Sequence, residues 1–124
     1  MPQQRDPFLW RVRSVVPAVG VLELVTEPWT GRDQVMYLDE ISVCNATSSG
    51  GDVQVGLLMG GRHFELDTVF ALVAGMYHYA HGQVTILSKW QVYARFLLED
   101  QVCQPGDICD LHVVGYVLEP YSSP

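Results

Sequence analysis

Leu38-Asp39-Glu40-Ile41-Ser42-Val43-Cys44-Asn45-Ala46-Thr47-Ser48-Ser49-Gly50-Gly51-Asp52-Val53-Gln54-Val55-Gly56-Leu57-Leu58 reads as strand, polar turn, strand. The first run is apolar and β-branched, which suits a pleated, half-buried surface. The middle is Asn, Thr, Ser and Gly, residues that close turns, and the second run alternates apolar with polar at a period of two. Asn45-Ala46-Thr47 also has the form of a glycosylation sequon, but its place between two strands makes it a turn.

The same grammar continues in both directions. Leu9–Val16 alternates, with Trp10, Val12 and Val16 on one side and Arg11 and Arg13 on the other, and Pro17 ends it. Ala18–Thr26 is a second strand, and Glu27–Asp33 is a Pro- and Gly-broken loop carrying Trp29. Further strands are expected at Val35–Cys44, Asp52–Met59, Arg62–Leu66, Val69–Val73, Met76–Ala80, Gln83–Leu87, Gln91–Leu98 and Ile108–Leu118. Gly60-Gly61 is placed as a tight hairpin turn. No segment carries the 3.6-residue period of an amphipathic helix. The expected fold is therefore all-β: a single β-sandwich of about eight strands, jelly roll first among the options. Residues 1–17 form an N-terminal arm or edge strand, 18–119 the sandwich, and 120–124 a C-terminal tail.

A chain of 124 residues is one domain's worth, and an apolar fraction of 48% supports one real core. Only 17% of residues are charged, so extended solvated faces are scarce and part of the surface is expected to be covered by partners. Net charge is −7, unevenly spread. Residues 1–17 carry Arg5, Arg11 and Arg13 against Asp6, whereas the remainder carries four cations against thirteen anions. An acidic body repels phosphate backbones, which argues against nucleic acid as a partner. No run approaches the length of a membrane span, and Met-Pro-Gln-Gln-Arg-Asp-Pro lacks the apolar centre of a secretory signal. Cys44, Cys103 and Cys109 are read as reduced, buried thiols.

Catalytic and metal chemistry find little purchase. His63, His78, His81 and His112, with Glu65, Asp107 and Asp110, invite comparison with cupins, and Pro105–His112 faintly echoes the second cupin box. The first box is absent, and His78 and His81, three apart in a strand, point to opposite faces. The cysteines lack Cys-x-x-Cys spacing, and the acidic pairs Asp39-Glu40 and Glu99-Asp100 are neighbours that point apart. No cofactor, metal or catalytic residue is assigned. The aromatics suit core ends and interfaces, with a sugar platform at Trp29 or Trp90 as the rival use.

Ile41–Thr47, Gly60-Gly61, Leu72-Val73-Ala74-Gly75, Val84-Thr85-Ile86-Leu87, Pro105-Gly106-Asp107 and Val113-Val114-Gly115-Tyr116 come in an order that resembles small jelly-roll virion proteins of tailed bacteriophages. The resemblance spans roughly residues 35–118 and departs at Trp90-Gln91, where a Gly-Asp turn is expected. It implies a non-enzymatic capsid decoration or cement protein, or a head or tail appendage. Such a protein works in the virion, as a homotrimer bound to the major capsid protein or another virion protein. The alternative it leaves open is a carbohydrate- or receptor-binding module of such an appendage. Partner contacts are expected from Phe8, Leu9, Trp10, Arg11, Arg13, Trp29 and Trp90. Free in solution, an arm of that content exposes large apolar side chains, so it is expected to cross to a neighbour, with Arg11 and Arg13 meeting acidic groups there.

Overall fold

Alternation of β-branched and polar residues, broken by Gly, Asn and Pro, yields nine strands among the residues that the computed structural model describes: 5–16, 22–28, 35–49, 51–87, 89–96 and 106–118. They are β1 (Arg5–Val15), β2 (Leu22–Val25), β3 (Met36–Asn45), β4 (Val53–Met59), β5 (Arg62–Val69), β6 (His78–His81), β7 (Val84–Ile86), β8 (Gln91–Phe96) and β9 (Ile108–Leu118). No helix occurs among the described residues.

All pairings are antiparallel. One sheet has the order β1-β9-β3-β6, and β7 shares with β6 the free side of the long strand β3. The other sheet has the order β2-β8-β4-β5. Met36, Leu38, Ile41, Val43, Leu111 and Val113 of the first sheet meet Leu24, Val53, Val55, Val92, Ala94 and Phe96 of the second in one core. Full burial of each of these side chains larger than alanine is worth roughly 1.5–3 kcal/mol. The result is a β-sandwich with two open sides: β1 and β2 flank one, β5 and β6 the other.

Gly60 and Gly61, at φ 59° and 80°, close the β4–β5 hairpin in the left-handed region that a two-residue turn demands. Two expectations change. The strand foreseen at Arg62–Leu66 runs on to Val69, and the one foreseen at Val69–Val73 does not exist. There the chain leaves the sheet as a loop, with Ala71 at φ 53° and Gly75 at φ 76°. Of the two forms open to the N-terminal segment, Arg5–Val15 takes the edge strand, paired along its whole length with Ile108–Leu118. The tail at 120–124 lies outside the described residues.

Candidate interaction surface

Side chains alternate across a strand, so the even-numbered residues of mid-β1 face the core and the odd-numbered ones face out. Trp10 and Val12 pack against the core. Leu9, Arg11, Arg13 and Val15 point away from it, and the register sets each beside an outward residue of β9. Rungs of like character result. Val15 lies opposite Ile108 and Leu9 opposite Val114, and all four are exposed, at 55%, 37%, 60% and 40%. Tyr37 of β3 and Tyr116 of β9 stack with ring centroids 5.4 Å apart.

Between these apolar rungs sits a charged one. Arg13 forks onto Asp110, donating from Nε (2.6 Å) and from an Nη (3.0 Å). Arg11 lies 3.9 Å from the same carboxylate, and the Tyr77 hydroxyl donates to it at 3.3 Å. Asp110 is thereby buried on the outer side of a sheet. Burial pushes its carboxyl upward, but the hydrogen bonds and charge of Arg13, with Arg11 and Tyr77 adding to them, outweigh that and hold it below the ordinary 3.8. The ring of His112 packs on Tyr77 at 4.5 Å. Burial, then the charge of Arg11, depresses His112 below 6.5. Burial, then Asp110, raises the Cys44 thiol. Arg13 is thus neutralised within the chain, whereas Arg11, half-exposed and more distant, keeps a residual charge; the exposed Glu40 lies opposite Val114, and the rungs on either side of the cluster are apolar.

One end of the sandwich is bound into a network. Asn45 is buried; its Oδ1 accepts the N–H groups of Thr47 and Ser48, both at 3.0 Å, and its Nδ2 donates to Asp107 at 3.1 Å. Ser48 donates to the other oxygen of Asp107 at 2.9 Å. The Thr47 hydroxyl accepts Ile108 N–H, and Asp107 O accepts Val16 N–H. An amide so committed is a structural turn and is closed to glycan attachment.

Against this network leans the β5–β6 loop, which exposes Phe70, Val73, Met76 and Tyr77. The sequence conceals this loop because its short apolar runs also suit strands. The signal was there: Val69–Ala80 contains no Asp, Glu, Lys or Arg, and Phe70-Ala71-Leu72-Val73 does not alternate. On the outside of the other sheet, His63 meets Tyr93 edge-on at 4.7 Å and pairs with Glu23, which also lies 3.6 Å from Arg95. That cluster needs Gly56, where a Cβ would overlap the Phe64 carbonyl oxygen.

The residues singled out for partner binding are dispersed. Leu9, Arg11 and Arg13 share the outer face, but Trp10 turns inward. Phe8 is paired through its backbone with Gly115; its side chain, Trp29 and Cys103 lie outside the described residues. Trp90 is half-buried against the core. The expectation that Arg13 reaches an acidic group on a neighbour is corrected: its acidic group is Asp110 of its own chain. The four histidines do not converge. His78 accepts from Val73 N–H, and His81 lies 3.7 Å from Asp67. Among the described residues, no three His, Cys, Asp or Glu side chains form a group that could hold a metal ion. No protein-family model matches this chain, and no curated protein matches it in sequence.

Proposed function

We propose that this chain is a non-enzymatic structural protein of a tailed-bacteriophage virion. In this reading it is a decoration or cement subunit that lays the outer face of its five-stranded sheet on the major capsid protein or another virion protein. The observation that carries it is that face: apolar rungs Leu9/Val114 and Val15/Ile108, fixed in a paired sheet, on either side of the Arg13–Asp110 pair. Apolar side chains fixed in a paired sheet lose little freedom on docking. Connectivity supports the finer description as a jelly roll, since β1 to β4 alternate between the two sheets and β8 and β9 return to their centres. The sequence resemblance points the same way, and a homotrimer fits it.

The test is direct. Purified recombinant chain should rebind particles of the encoding phage from which it has been stripped, and cryo-microscopy should then show its density on the shell. Leu9→Glu and Val114→Glu, both at exposed positions, should fold normally and fail to rebind. Particles that contain no copy of this chain, or variants that bind like the parent, refute the reading.

A further inference from the structure

The two open sides of the sandwich are unlike, and their chemistry is complementary. On the β5/β6 side, the loop Phe70–Tyr77 is apolar and held stiff. Six successive amides are each spoken for: Ala71 N–H by Asp52, Leu72 by Gly51 O, Val73 by His78, Ala74 by Ser49, Gly75 by Asn45 O and Met76 by Val73 O. Leu72 plugs the core, while Phe70 is 70% exposed. A loop fixed on its polar side while presenting Phe, Val, Met and Tyr is pre-organised for a contact. Asp110 accepts from the Tyr77 hydroxyl and Asp52 from the Ala71 amide, and the exposed Asp67 lies on β5, which leads into the loop.

On the β1/β2 side, the sheets part to leave a cleft lined by Trp10, Val12, Val25 and the buried Thr26, together with the exposed Arg11 and Glu27. Arg11 is half-exposed. It belongs to the one basic segment of a chain that is otherwise strongly acidic.

We infer that copies of this chain assemble head to tail, the Phe70–Tyr77 loop of one seating in the Trp10/Val12/Val25 cleft of the next. Arg11 then faces the Asp52 and Asp67 carboxylates of its neighbour. This deepens the reading of the chain as an assembling subunit and rests on it. The apolar surfaces match in kind and the charges in sign. A symmetric β1-to-β1 dimer is disfavoured: keeping outward faces aligned sets the arginines of one copy near those of the other, and like charges oppose. A lipid partner is disfavoured too, since no Lys or Arg flanks the loop within Val69–Ala80 and the body is acidic. A contact between two different patches propagates in one sense and closes into a ring when the rotation permits, so the expected product is a small ring, with three copies matching the trimer proposed above.

The whole chain is weighed by sedimentation velocity. The parent should be a ring-sized oligomer, whereas Phe70→Asp and Val25→Glu should each be monomers with the parent's β-type circular dichroism and unfolding midpoint. Mixing the two variants leaves one intact loop and one intact cleft per pair, so dimers and nothing larger should form. If Val25→Glu does not fold, Arg11→Ala replaces it, with at least a tenfold weaker, salt-sensitive association expected. A monomeric parent at high concentration, a single variant that assembles like the parent, or a mixture that stays monomeric overturns the inference. So does binding of the parent to phosphatidylcholine–phosphatidylglycerol vesicles that Phe70→Asp abolishes, because the loop's occupant is then lipid. Val15→Glu, at the outer-face rung farther from Arg11, should keep the ring while losing particle binding, so failure of one reading is separable from failure of the other.

Discussion

Replacing Asn45 by Ala tests whether the end network is what fixes the β3–β4 turn. Three side-chain hydrogen bonds are lost together. The Thr47 and Ser48 amides lie in a partly exposed turn and can recover water, so each costs about 1 kcal/mol. Asp107 is different: it is buried, and losing a donor to a buried carboxylate costs roughly 1.5–3 kcal/mol. The total, about 3–5 kcal/mol, is a large fraction of the ~5–15 kcal/mol that holds a domain together. With a urea slope of roughly 2 kcal/mol per molar, the midpoint should fall by about 2 M. Tryptophan fluorescence and far-ultraviolet circular dichroism, recorded on the same samples, check that the transition stays two-state.

Asn45→Asp sharpens the test. It keeps the acceptor for Thr47 and Ser48 but sets a second carboxylate against Asp107, and two carboxylates sharing a site raise one pKa. The Asp variant should therefore be weak at pH 7 and regain stability toward pH 5, whereas the Ala variant should not. A midpoint shift below about 0.5 M for Asn45→Ala, or an Asp variant with no acid recovery, refutes the assigned network.

Gly56→Ala drives a methyl into the Phe64 carbonyl and to 2.9 Å from Tyr93 Cε1, so it should cost about 1–3 kcal/mol in urea unfolding despite better strand propensity; an unchanged midpoint contradicts the described β4–β5–β8 packing. The outer-face cluster sets a pH dependence. Folding depresses His112, so below pH 6.5 the unfolded chain takes up that proton first and stability falls with pH; His112→Gln should flatten the profile between pH 7 and 5 relative to the parent, and parallel profiles refute it. Asp110 is also depressed, so its contribution is present above pH 3.8 and is lost as pH falls through its lower folded value. Asp110→Asn should unfold more easily at pH 7 and lose part of the steepness seen in strong acid, and equal steepness refutes the pairing with Arg13.

The sandwich was legible because its signals are local. Period-two alternation in Ile108–Leu118 and the φ demands of Gly60-Gly61 specify a strand and a hairpin without reference to the rest of the chain. The turn at Asn45 was legible for the same reason, since an Asn side chain can cap the amides two and three residues on. What the sequence hid is pairing across distance. Arg13 and Asp110 are 97 positions apart, and nothing local says that the arginine of an edge strand neutralises an aspartate in the sheet beside it. The segment looked like an arm seeking an acidic partner because its acidic partner lies near the other end of the chain.

The β5–β6 loop shows the opposite limit. Apolar residues are normally buried, so the sequence places Phe70, Val73, Met76 and Tyr77 in strands that would hide them. The chain instead uses Leu72 alone as the buried anchor and fixes the neighbouring amides to Asp52, Ser49, Asn45 and His78. None of these bonds buries the apolar side chains. A loop selected only for folding gains nothing from an uncharged, exposed run of that kind, because solvent contact with Phe70 stabilises neither the native state nor the turn. Two kinds of group coexist there: polar ones that fix the backbone inside the monomer, with Tyr77 held by His112 and Asp110, and the apolar side chains of Phe70, Val73 and Met76, which stay exposed. The head-to-tail contact inferred above would cover Phe70, Val73 and Met76 with the cleft beside Trp10 of a second copy.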